Sequence, residues 1–193
     1  MEVYCIMYAR DFRHQAWASL RGRWGMAILA CIVSSLILGA ASMIPGGSLL
    51  ATGLMSVGLA GIMMNIVRGQ DTDLGRLFDG FQVNFVNNLL AGLLYNVFIA
   101  LWSLLFIIPG IVKGYSYSMT FYILKEHPEM TATEAITESR RLMLGNKWRL
   151  FCLDFSFIGW YLLSCLTFGI LLIWVFPYHE AAHAAFYESI KND

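Results

Sequence analysis

The chain has 193 residues, 58% of them hydrophobic and only 13% charged, with a formal net charge of zero. Soluble domains are nearer about 45–50% apolar and about 25% charged, so the mean hydropathy of +0.61, gathered in long runs, points to lipid rather than to a large aqueous core. Zero net charge removes any bulk electrostatic case for nucleic acid, and one integral membrane domain over residues 1–193 is the expectation.

Residues 8–23 carry Arg10, Arg13, Arg21 and Arg23, while Phe12, Ala16, Leu20 and Trp24 recur at every fourth position. One helical face is therefore apolar, and an interfacial helix leading into the first span is expected. Gly39-Ala40-Ala41 resembles a cleavage site, but the long basic leader and the spans that follow argue against a signal peptide. Residues 24–44 suit a hydrocarbon core of about 30 Å. Pro45-Gly46-Gly47-Ser48 turns the chain, and residues 49–67 cross back. Ala27, Cys31, Ser35 and Gly39 form one row of small residues, and Thr52, Ser56 and Ala60 another. Small rows let helix backbones approach closely in lipid, so tight packing of this hairpin is expected.

After a polar break at residues 69–73, Leu74, Leu77, Phe78, Phe81 and Phe85 follow amphipathic helical spacing, with Asp73 placed to cap the helix. Residues 86–108 form the next span. Pro109 lacks a backbone donor and disfavours helix in the residue before it, and Gly110 permits a sharp reversal. The pair reads as a hairpin tip before a short span at 111–124; a kink in one long helix is the alternative. Thr131-x-x-Glu134 is a capping box opening a helix through Leu144, and Gly145-Asn146 fits its stop. Residues 148–166 and 169–190 are the last apolar segments, joined through Thr167-Phe168-Gly169; a single span over 155–176 is the alternative. Cys5, Cys31, Cys152 and Cys165 match no metal knuckle or CxxC spacing, and no disulfide is expected.

The fold expected is all-α, with six transmembrane helices as three hairpins plus short amphipathic interfacial helices. Twelve of the thirteen basic residues then fall on one side, which the positive-inside rule makes cytoplasmic. Both termini lie on that side, and only Lys113 sits near an outer turn.

LWSLLFIIPGIVKGYSYSM (101–119), ESRRLMLGNKWRLFCLDFSFIGW (138–160) and PYHEAAHAAFY (177–187) together resemble a bacterial multi-pass membrane family, domain of unknown function 975. The resemblance extends over most of the chain. It implies an integral protein of the bacterial cytoplasmic membrane and brings no established activity, substrate or catalytic residue.

His179-Glu180-Ala181-Ala182-His183 matches H-E-x-x-H, in which two His one helical turn apart hold zinc and the Glu activates water. A catalytic site usually needs a third protein ligand, and none is expected among the ten residues after His183. The expectation is therefore no stoichiometric zinc and no other cofactor, with zinc on His179 and His183 as the alternative. Asp154 interrupts an apolar run, where an ionisable group faces either a partner or the hydrated headgroups. Asn96 and Tyr122 stand 13 residues either side of Pro109, while Asp154 and His179 stand 13 and 12 residues either side of Thr167. Each then lies roughly 18–20 Å from an outer turn. Asn96, Tyr122, Asp154, His179, Glu180 and His183 thus form an expected intramembrane polar cluster, with Asp154 in direct or water-bridged contact with His179. Arg140 and Arg141 are candidates for anionic-lipid contact. No phosphate loop, Ser-His-Asp set or EF-hand pattern is present. The reading is a non-enzymatic binding, accessory or transport-related protein, with the lipid bilayer and a further membrane protein as partners. A zinc-dependent intramembrane hydrolase and a structural subunit of a complex are the alternatives.

Overall fold

A computed structural model of the chain describes residues 2–44, 46–105 and 107–191. Among these the backbone is helical, without strands. The helices are α1 (Glu2–Leu20), α2 (Trp24–Ser42), α3 (Gly47–Val67), α4 (Asp79–Gln82), α5 (Phe85–Leu105), α6 (Ile107–Tyr117), α7 (Thr120–Glu126), α8 (Ala132–Leu142), α9 (Lys147–Leu166) and α10 (Leu172–Ile190), with a 3₁₀ turn at Leu74–Phe78 before α4.

Four helices, α2, α3, α5 and α9, are long and apolar enough to cross a membrane. Six were expected. The difference has two sources. The fourth expected crossing is divided between α6 and α7, of 11 and 7 residues, and α10 carries His179, Glu180, His183 and Glu188 along its length.

α3 is the central element. It packs against α2, α5, α7, α10 and the 74–82 segment, and Ile62, Met63, Met64 and Ile66 are buried on it. α3 packs against α2 as expected, and its glycine-to-glycine backbone contact is made with α5. A Cβ on Gly53 would stand 2.8 Å from the Cα of Gly92, and one on Gly92 2.5 Å from the Cα of Gly53. On α2, Ala27 and Cys31 are buried while Ser35 and Gly39 are exposed. A row at strict i+4 spacing advances about 40° around the helix per step, so its far end leaves the contact face.

The 74–82 segment was expected to bury an aromatic stripe. Asp73 caps it by accepting from the N–H of Gly75, and Leu77 is buried, but Phe78, Phe81 and Phe85 are exposed as a ladder of rings 6.2 and 6.5 Å apart. Gly58 and Gly80 explain the inversion. A side chain at either would run into the backbone carbonyl of Leu77 or Leu54, so here backbone, not aromatic rings, faces α3. The apolar stripe of α1 is buried at Phe12, Ala16 and Leu20, but against α9 and α10 rather than on a surface.

The chain does reverse between α5 and α6, three residues earlier than expected. Tyr95 meets Phe121, Phe98 meets Tyr117, and Lys113 lies 4.8 Å from the Trp102 ring centroid. This antiparallel register excludes one kinked helix. Pro109 sits in the first turn of α6, where a missing N–H leaves no intrahelical bond unmade. Gly110 lies against Ser103, whose Cα would be 3.0 Å from an added Cβ. Pro109→Ala should therefore shift stability by no more than about 1 kcal/mol, read as the thermal midpoint in detergent. A loss several times larger would return the reversal to the proline.

The capping box of α8 forms, with the Thr131 hydroxyl accepting from the N–H of Glu134 and the Glu134 carboxylate accepting from that of Thr131. α9 and α10 are separate helices, not one span. Gly169, at φ 82°, closes α9 by donating its N–H to Ser164 O at 2.8 Å. Cys31 and Cys165 are free, but Cys152 is disulfide-bonded, contrary to the expectation of no disulfide.

Candidate functional site

α9 and α10 pack antiparallel, and polar side chains meet across them beside the buried Phe157. The Nε2 atoms of His179 and His183 lie 3.0 and 2.7 Å from Oδ1 of Asp154. One carboxylate oxygen thus accepts from both imidazoles. The two His share a face of α10, one turn apart, with ring centroids 4.4 Å from each other. Phe157 and Tyr161 of α9 meet the His179 ring edge-on at 4.9 and 5.9 Å, which holds it toward Asp154. The Tyr115 hydroxyl of α6 faces the same carboxylate. The centre is not sealed, because the Asp154, His179 and His183 side chains keep 26, 17 and 18% of their exposure.

Glu180 projects about 100° around the helix from His179. Among the described residues it makes no hydrogen bond or ion pair. It lies within electrostatic range of Cys31 on α2, Tyr95 on α5, Tyr122 on α7, Tyr161 on α9 and His183. No Lys or Arg pairs with Asp154 or Glu180 among the described residues.

Of the expected cluster, Asp154, His179 and His183 come into direct contact, and Glu180 lies between the two His on the same helix. Asn96 does not join. Its Nδ2 donates to Gly92 O on its own helix at 2.8 Å, and the preceding Tyr95 packs on Phe121 of α7. Depth counting places residues along a helix axis but not around it, which is why Asn96 was counted into the cluster. Tyr122 stacks on Tyr187 with centroids 5.4 Å apart. Arg140 and Arg141 are exposed on α8; Arg141 pairs with Glu138 at 2.6 Å, leaving Arg140 for any outside anion.

A second cluster was not expected. Arg68 at the end of α3 pairs with Glu126 and Glu188, each at 2.7 Å. Lys191 reaches Glu126 at 2.9 Å and Glu188 at 3.0 Å, and the Tyr187 hydroxyl donates to Glu126 at 2.7 Å. Burial raises the Glu126 carboxyl, but the Tyr187 and Lys191 hydrogen bonds and the nearby cations outweigh it and hold Glu126 below its ordinary value. In sequence the only trace is Glu188 and Lys191 at i, i+3; the other partners come from distant helices.

A family model described as protein of unknown function (DUF975) matches residues 105–193. No curated protein and no solved structure matches the chain. Residues 105–193 are thus similar to this domain of unknown function, a narrower extent than the resemblance read from the sequence, and they contain all three members of the Asp–His–His centre.

Proposed function

We propose that the protein is an integral protein of the bacterial cytoplasmic membrane that binds a small ligand at Asp154, His179 and His183 and carries out no covalent chemistry. The four apolar helices supply four crossings. α6 with α7 supplies a fifth and α10 a sixth, which makes three hairpins with both termini cytoplasmic. The segregation of twelve of thirteen basic residues supports this orientation. Reporter fusions at residues 70, 135 and 193 should all read as cytoplasmic, and a periplasmic reading at 193 alone would reduce the count to five.

The observation that carries the binding reading is the convergence of two imidazoles on one incompletely buried carboxylate oxygen. Such a polar triad is not a good source of stability, since replacing buried ionic groups by apolar ones is often neutral or favourable. Its remaining exposure leaves room for a ligand. The test is genetic. In a strain lacking the gene, the intact chain restores growth in a condition where the loss shows. The Asp154→Asn/His183→Gln double variant, present in membranes at the same level, should fail to restore it. Full restoration by that variant would overturn the reading. The free side chain of Glu180 beside His183 favours the hydrolase as the second reading. Glu180→Gln should keep restoring growth in a binding protein and fail in a hydrolase, where Glu must activate water.

A further inference from the structure

We propose that the ligand of this centre is a divalent transition metal of the zinc class, held by Asp154 Oδ1, His179 Nε2 and His183 Nε2; the inference rests on the binding reading above. The three donor atoms lie within 4.8 Å of one another. Two imidazoles and one carboxylate are a donor set suited to zinc and to neighbouring first-row metals. Zinc with ligands at about 2.0–2.2 Å sets donors roughly 3.3–3.5 Å apart. The carboxylate therefore moves away from the imidazoles by about half an ångström from its 2.7 and 3.0 Å separations, and the imidazole nitrogens, within 4.8 Å of each other, close by up to about 1.5 Å. Side-chain rotation between two helices covers these distances.

Charge gives the second reason. Asp154 and Glu180 bring two negative charges to a site with no Lys or Arg ion pair among the described residues. Charges taken out of water demand pairing, and one divalent cation balances these two. Glu180 lies outside the group of converging donors, so it acts on the cation through space rather than as a ligand. Three protein ligands leave the fourth position of a tetrahedral ion to water or to a further molecule. The expectation of no zinc rested on the missing third ligand downstream of His183. The structure supplies that donor upstream, on α9, 25 residues before His179.

The test uses the full chain purified in detergent, stripped with chelator, equilibrated with zinc chloride and measured for metal content. About one zinc per chain is expected. Asp154→Asn and His183→Ala should each weaken binding by about 100-fold or more, with Cys165→Ser unchanged. Asp154→Asn preserves shape, so its elution profile and thermal midpoint separate a lost ligand from a lost fold. Cobalt in place of zinc should give visible bands of a low-coordinate N/O site in the intact chain and not in the Asp154→Asn variant. No stoichiometric zinc in the intact chain, or equal zinc in the variants, overturns the metal. If zinc is absent while the double variant still fails to restore growth, the metal falls and the binding centre stands. If zinc binds while that variant restores growth, the site is real and the functional reading falls.

Discussion

Replacing Gly92 by valine is expected to destabilise the protein by about 3 kcal/mol or more, the upper range for overpacking a tight contact. For a chain of this length that corresponds to a fall of roughly 6–12 °C in thermal midpoint, at about 2–4 °C per kcal/mol. The reason is geometric. At the α3–α5 crossing the backbones of Gly53 and Gly92 touch, and a Cβ on either would stand under 3 Å from the other's Cα. Backbone cannot rotate away as a side chain can, so the helices must part and lose the packing on both sides. Gly53→Val should behave alike, and the double variant should cost less than the sum of the two, because the first substitution has already separated the helices. Gly159→Ala is the control. An added Cβ there meets nothing within 4 Å, and alanine is the better helix former by up to about 1 kcal/mol. A Gly92→Val midpoint equal to that of the intact chain in detergent would show that the crossing is not so close.

These contacts mark the limit of what the sequence discloses. Element positions were readable because each depends on local chemistry: the Thr131 capping box, the Gly145 stop and the apolar face at Phe12, Ala16 and Leu20. What was not readable depends on which element lies opposite. Phe78, Phe81 and Phe85 carry an amphipathic spacing, yet Gly58 and Gly80 bring backbone to α3 and turn the rings outward. Proline and glycine at 109–110 signalled a reversal near the right place, but a proline is as well suited to the first turn of a helix as to a tip.

The candidate centre follows the same division. Asp154 and the two His stood out because ionisable groups in apolar runs are expensive, and counting from the Thr167 turn put them at matching heights. That both imidazoles share a single carboxylate oxygen, and that Asn96 bonds within its own helix instead, depends on rotation about each helix axis. Sequence spacing gives that rotation only within one helix, as it did for His179 and His183.

Arg68→Ala is expected to lower stability by about 2 kcal/mol, roughly 4–8 °C in midpoint. The guanidinium joins three separate helices, because Glu126 ends α7 and Glu188 lies near the end of α10 while Arg68 follows α3. Its removal leaves two carboxylates side by side with Lys191 as their shared cation. The side chains keep 18–27% of their exposure, so water moderates the loss and the value belongs below that of a fully buried pair. The pH dependence has a definite sign. Glu126 is held below its ordinary value of 4.5, so the folded state binds its proton less readily than the unfolded chain does. The contribution is complete above the unfolded value and is lost as pH falls through the lower folded one. Midpoints of the intact chain should therefore hold level in this respect down to about pH 5 and fall below about pH 4.5. Glu126→Gln should flatten the acid limb, since the amide cannot titrate, and lower the plateau at neutral pH. An acid limb of equal depth in Glu126→Gln would assign the loss to other carboxylates and leave the network as a contact without a pH role.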